Sequence, residues 1–231
     1  RDCPCHFKRL EKFIFYKIRI SDNQFTKLMD FDGTTNGSPN CSLWLDGGYL
    51  YGTTGNGGSG LNLGTVFKFG LPATTQASNI TFQGITGAQA TISWTKGNGT
   101  SRAVFVKQGT GAITNPTNNT TYTASDNWNL KGTQIGTSGY YCVYNGTGNS
   151  VVLANLNPLT QYTVQIFEYS GLLGAEQYLT TTATSNPNSF TTTKADQTIT
   201  FAALAPKKVG DASFSLTATA TSEIGSAHVC T

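Results

Sequence analysis

Between Val151 and Ser170 the chain reads VVLANLNPLTQYTVQIFEYS. Apolar residues alternate with polar ones on both sides of the corner Asn157-Pro158-Leu159-Thr160: Val151, Leu153 and Leu156 lead in, and Tyr162, Val164 and Ile166 lead out. A period of two on either side of a Pro-containing corner reads as two half-buried strands. Leu156, Pro158 and Tyr162 are the expected structural core of this stretch, and no other segment constrains the fold as much.

Composition points the same way. Charged residues make up 12% of the 231 residues, against 26 glycines, which excludes solvated disorder and helices laced with Glu–Lys pairs and favours short strands with many turns. The formal net charge is +3, and Lys8, Arg9, Lys12, Lys17 and Arg19 all fall in the first twenty positions. The remainder is close to neutral, so no nucleic-acid footprint is present. The five cysteines, Cys3, Cys5, Cys41, Cys142 and Cys230, are odd in number and scattered, unlike a disulfide framework. Cys142 reads as a buried strand residue. No apolar run reaches the roughly 20 residues that a membrane helix needs. Phe13 to Ile20 is broken by Lys17 and Arg19 and is no signal peptide, so the chain is expected to be a fragment of a longer exported protein.

Residues 1–24 are basic and Gly-free, and are left unassigned: Phe13, Phe15, Ile18 and Ile20 suit a strand or a short helix. Cys3, Cys5 and His6 lack the paired spacing and the fourth ligand of a structural zinc site. In residues 25–70 the sequence Tyr51-Gly52-Thr53-Thr54, Gly57-Gly58 and Gly64-Thr65-Val66-Phe67-Lys68 resembles one unit of a bacterial repeat with a Y-G-T-T-x-x-G-G core followed by G-T-V-F-K. That resemblance implies a β-propeller-like array, and a single unit cannot bury its own hydrophobic face. Cys41 stands where such a unit more usually has a small residue. The glycine-rich run Gly55 to Gly60 mimics a phosphate loop, but another strand signal follows where a helix would be required, so it reads as a hairpin connection. Asp30, Asp32 and Asn36 mimic a calcium loop, but Gly33 and Cys41 stand where the spacing of an EF-hand requires other residues.

Residues 71–78 form a linker, and residues 79–193 form the one complete domain. Its strand signals are Asn79–Phe82, Ala90–Thr95, Arg102–Lys107, Tyr140–Tyr144, Ser150–Leu156, Gln161–Tyr169 and Phe190–Thr193, with an edge strand over Thr120–Ala124 inside the long polar region from Gln108 to Gly139. The corner resembles the tyrosine corner of a fibronectin type III domain, whose Tyr hydroxyl bonds back to upstream backbone, and Trp94 matches that family's core Trp. Trp94-Thr95-Lys96-Gly97-Asn98-Gly99, Arg102 to Lys107, Asn119 to Ala124, Cys142 to Gly146 and Glu168-Tyr169 are similar to a bacterial subgroup of these domains. The resemblance implies an all-β fibronectin type III, immunoglobulin-like sandwich. Residues 194–231 resemble the truncated start of an immunoglobulin-like adhesin repeat, with Gly210-Asp211 before Phe214 to Thr219. Residues 1–24 and 223–231 are expected to be truncation or frame artefacts.

Chemistry is sparse. His6 and His228 are the two histidines, and both lie in the terminal segments, so no core base is placed to activate a nucleophile. The carboxylates Asp30, Asp32, Asp46, Asp126, Glu168 and Glu176 form no evident pair for glycoside hydrolysis. No catalytic residue, cofactor or metal site is assigned. Seven Asn-x-Ser/Thr sites, from Asn36 to Asn145, follow from an Asn- and Thr-rich composition. Two functions remain. One is a secreted or cell-surface spacer or adhesion module, flanked by neighbouring domains of a longer chain and touching an extracellular protein or polysaccharide. The other is an accessory, carbohydrate-binding or spacing region of a secreted polysaccharide-degrading enzyme, in which Trp128 and Tyr122, with Tyr140 and Tyr141, would form a platform for sugar rings. Aromatics in such patterns pack in cores more often than they form platforms.

Overall fold

Alternating side chains become strands throughout, and a computed structural model of the protein contains fifteen of them and no helix among its described residues. Those residues are 13–19, 24–31, 37, 39, 42–46, 48–57, 63–171, 174–201, 203, 206–210, 212 and 218–220. The expectations placed on Cys3, Cys5, His6, Asp32, Asn36, Cys41, Gly58 to Gly60, Asp211, Phe214, residues 223–231 and His228 lie outside them. The chain divides into two compact units, Arg1–Pro72 and Ala73–Thr231.

In the first unit β1 (Phe13–Arg19) pairs antiparallel with β2 (Gln24–Phe31), so this hairpin spans the compositional change at residue 24. A second sheet is an antiparallel meander of β3 (Trp44–Asp46), β4 (Tyr49–Thr53) and β5 (Val66–Gly70). The glycine-rich run joins β4 to β5, with Thr54 N–H donating to Thr65 O at 2.8 Å and Gly64 N–H to Gly57 O at 3.1 Å.

The sandwich of the second unit is built on eight strands: β6 (Ser78–Gln83), β7 (Gln89–Thr95), β8 (Ser101–Gln108), β9 (Tyr141–Gly146), β10 (Ser150–Ala154), β11 (Gln161–Ser170), β12 (Gln177–Tyr178) and β13 (Asn188–Thr191). One sheet has the order β10-β7-β6; in the other β9 pairs β8, β8 pairs β11, and β11 carries β12 and β13 on its far edge. The strands flanking the Pro158 corner therefore belong to different sheets, and the corner carries the chain from one layer to the other. Ile80, Ala90, Ile92, Trp94 and Leu153 of the first sheet meet Val104, Val106, Tyr162, Val164 and Ile166 of the second. This interior is the expected sandwich core.

The second sheet is buried on both faces. Ala103 and Phe105 of β8, Cys142 of β9, and Phe167 and Tyr169 of β11 form a separate cluster with Tyr122, Ile135, Tyr140 and Tyr178. The long polar region lies over this face. Its expected edge strand at Thr120–Ala124 is absent, because that run bonds to neighbouring loops and to the Cys142 region instead of along a ladder: Ser125 N–H donates to Cys142 O at 3.1 Å and Thr133 N–H to Thr123 O at 2.8 Å. Double-sided burial explains why residues 102–106 are all buried. After the sandwich, β14 (Ile199–Phe201) pairs antiparallel with β15 (Ala218–Ala220).

Candidate functional site

The strongest polar constellation in the sandwich is an ion pair at the end where β8 begins and β11 ends. Arg102 and Glu168 face each other across the β8–β11 ladder and are 3% and 0% exposed. Arg102 Nε donates to Glu168 Oε1 at 2.8 Å and Nη2 to Oε2 at 3.2 Å, a bidentate pair. The carboxylate also accepts the backbone N–H groups of Gly97 and Gly99, each at 3.0 Å. Arg102 Nη1 completes its bonding on the carbonyls of Thr147 and Gly148. A buried charge is tolerated only when it is paired and its remaining lone pairs and protons are bonded, and this pair meets that condition.

The same pair fixes the loop between β7 and β8. A Cβ on Gly97 would stand 2.0 Å from Thr75 O and 2.7 Å from Glu168 Cγ, and one on Gly99 would stand 2.8 Å from Glu168 Oε2. Only glycine lets the backbone approach the carboxylate this closely. Asn98, between them, accepts the N–H groups of Thr74 and Thr75 at 2.8 Å, tying the loop to the segment that leads into β6. Gln76 and Asn186 close the neighbouring edge. Gln76 accepts from Glu168 N–H at 2.7 Å and donates to Leu179 O at 2.6 Å, and Asn186 brackets Ile166 while donating to Ala77 O at 2.8 Å.

At the opposite end sits the corner. Tyr162 is fully buried, and its hydroxyl accepts the N–H of Asn157 at 2.9 Å. Its ring stacks on Phe190 with centroids 5.6 Å apart and takes the edge of Trp128 at 5.1 Å. Burial raises the Tyr162 phenol above its ordinary value. Leu156 is buried, and Pro158, expected in the core, is only half-buried. Trp94 is 4% exposed and packs edge-on to Tyr144 at 5.4 Å.

The aromatics assigned to a sugar platform are elsewhere than a platform needs them. Trp128 is 4% exposed between Tyr162 and Tyr141, and Tyr122 is 3% exposed against the edge of Phe105 at 5.0 Å, its hydroxyl accepting Thr117 N–H at 3.1 Å. Tyr140 is fully buried and Tyr141 half-buried. That assignment is corrected: these rings gain more from covering the sheet than from standing in water, and the hydroxyls of Tyr122 and Tyr140 bond to the backbone of Thr117 and Gly111.

The candidate carboxylates of the sandwich are also structural. Glu176, 2% exposed, accepts from the Thr121 hydroxyl and, at 2.9 Å, from Gly174 N–H, which pins the two insertions together. Asp126 is exposed. Cys142 is fully buried, and loss of water around the thiol pushes its pKa up to about 12, so it is inert as a nucleophile at neutral pH. No group of three or more His, Cys, Asp or Glu side chains suited to a metal occurs among the described residues. No helix long and apolar enough to cross a membrane occurs among the described residues. A shallow open groove beside the corner is lined by Ala88, Asn129, Asn155, Leu156, Asn157, Pro158 and Leu159.

No family model matches the chain. No curated protein matches it. Among solved structures, a fibronectin type III domain of human collagen XX matches with 17% identity, 48% of this chain and 95% of that one covered, and a TM-score of 0.27. The sandwich reading stands on this chain's own strand order, three strands against β9-β8-β11-β13, and on the tyrosine corner that joins the layers.

Sequence reasoning passed over Arg102, Gln76 and Asn186. A readable signal existed for the first. An Arg opening the apolar run Arg102 to Val106 has no water to face and requires an acid, and Glu168 ends the neighbouring apolar strand.

Proposed function

We propose that the chain is a non-catalytic module of an exported or cell-surface bacterial protein, in which the type III-like sandwich is a rigid spacer that carries adhesive or interacting neighbours. The observation that carries this reading is the path of the chain. It enters the sandwich at the Ser78–Thr95 end, beside the Arg102–Glu168 clamp, and leaves at the Thr191–Gln161 end, beside the tyrosine corner. The ten residues of β11 separate those ends by roughly 30 Å at about 3.4 Å per residue. A domain threaded from pole to pole adds its full length to a chain of domains. Both poles are clamped by buried polar groups, which suits a spacer under load.

In this reading residues 25–70 are one unit of a propeller-like repeat, supported by the β3-β4-β5 meander, and residues 194–231 open an immunoglobulin-like repeat, supported by the β14–β15 pair. Secretion and contact with an extracellular partner belong to the same proposal. The accessory-enzyme reading loses the platform assigned to Trp128 and Tyr122.

Pulling the full chain by its two termini tests the spacer role. The expected record has one discrete unfolding event releasing about 400 Å of chain, the extended length of the sandwich. Smooth extension without such an event would rule the role out.

A further inference from the structure

The segment that enters the sandwich is bonded along its length by side-chain amides. Asn98 accepts the N–H groups of Thr74 and Thr75. Gln76 accepts Glu168 N–H and donates to the carbonyls of Leu179 and Thr181 at 2.6 and 3.1 Å. Asn186 donates to Ala77 O and Asn188 to Ile80 O, each at 2.8 Å. Backbone bonds fill the interval: Asn79 N–H donates to Thr184 O at 2.8 Å and Ile80 N–H to Ser185 O at 3.3 Å. Beyond them the Phe82 and Phe190 rings meet with centroids 4.7 Å apart.

A carboxamide carries donors and an acceptor on one plane, as a peptide unit does, so it can bond to backbone where no strand reaches. Such reach is needed here, because β6 and β13 belong to different sheets. Gln76 and Asn186 are buried, and burial is tolerated because their polar atoms are bonded. From Gln76 to Phe82 the partners advance from Leu179 to Phe190, so β6 and the run into β13 are parallel. Both run from the Arg102–Glu168 end towards the tyrosine corner. The chain therefore arrives at one end of this seam and departs from the other. Tension between the termini slides β6 along its partner and loads every bond together, whereas tension applied to both at one end breaks the bonds in turn.

We propose that this amide seam is a force-bearing catch, which resists separation of the termini and gives way as a unit. Its use rests on the spacer reading above. The Arg102–Glu168 pair, although it is the stronger bond, ties β8 to β11 and does not lie between the two loaded strands. The seam does, and Asn186 and Asn188 are its members on the departing side. Forced unfolding is governed by the barrier that load must cross, so bonds broken together at that barrier set the rate.

Single-molecule force measurements on the full chain, attached in two ways, test the proposal. Handles at the two termini slide the seam. Handles at the N-terminus and at an azide-bearing residue placed at exposed Thr182 peel it from the Gln76 end. The sandwich is expected to unfold at clearly higher force in the first attachment. Asn188→Ala, at a half-buried position, leaves Ile80 O without its donor and should speed unfolding about tenfold at constant load between the termini. The same variant should leave the peeling force unchanged, because peeling begins at Gln76; a general loss of stability would lower both. Equal forces in the two attachments, or a terminal-load rate untouched by Asn188→Ala, would overturn the catch while a discrete unfolding event kept the spacer role intact. Smooth extension of the wild type would remove both.

Discussion

Tyr162 and Glu168, six positions apart on β11, hold the two ends of the sandwich by different means. Tyr162 uses one hydroxyl on one backbone N–H inside an aromatic stack, so Tyr162→Phe should lose about 1 kcal/mol or somewhat more by leaving the Asn157 N–H unpaired. Trp94→Ala removes the largest side chain of the first sheet's inner face and should cost roughly 3 to 5 kcal/mol. Glu168 holds Arg102 and two backbone amides together, and Glu168→Gln leaves the guanidinium buried against a neutral amide. That change should cost about 3 to 5 kcal/mol, the range for breaking one side of a buried pair. Urea denaturation of the full chain measures all three; a Glu168→Gln loss under 1 kcal/mol would show that the pair is not desolvated as its geometry requires.

At the scale of elements, the sequence made the seven principal strands legible because each is a short run, alternating or, over Ala103–Val106, apolar throughout, bounded by turn residues. Tyr162 and Trp94 were legible for the same reason. The layer covering the second sheet was not. Its polar residues carry no period, and the aromatics Tyr122 and Trp128 stand singly among Asn and Thr, so nothing local says that the loop folds back over β8 and β9. The double-sided burial was half visible, since Ala103 and Phe105 alternate with Val104 and Val106, and a strand apolar on both faces needs two covers. Gln76 and Asn186 were invisible because their partners are backbone atoms about ninety and twenty to a hundred and nine residues away, respectively. If the layer is structural, Tyr122→Ala and Trp128→Ala should each lose roughly 3 kcal/mol or more. Losses under 0.5 kcal/mol in thermal or urea unfolding would mark these rings as surface groups.

For the molecule as a whole, the two cores share one liability. Burial raises Cys142 to about 12 from 9.0, and raises Tyr140, Tyr162 and Tyr169 from 10.0. Below pH 9 the thiol is protonated in both folded and unfolded chains, and the stabilisation is complete. Between pH 9 and about 12 the unfolded chain ionises first, so each rise in pH favours unfolding. The urea midpoint should fall steadily above pH 9, and Cys142→Ala should flatten part of that fall; a midpoint constant to pH 11 would contradict the burial of these groups. The central claim is that a single sheet is covered on both faces, one by the partner sheet and one by the polar insertion. Hydrogen exchange read by mass spectrometry tests it most directly. The amides of Ser125, Thr133 and Cys142, bonded to Cys142 O, Thr123 O and Thr133 O, should exchange at least a hundredfold more slowly than in a free chain, as those of β11 do. Free-chain exchange across residues 117–135, with β11 still protected, would show that the second cover does not exist.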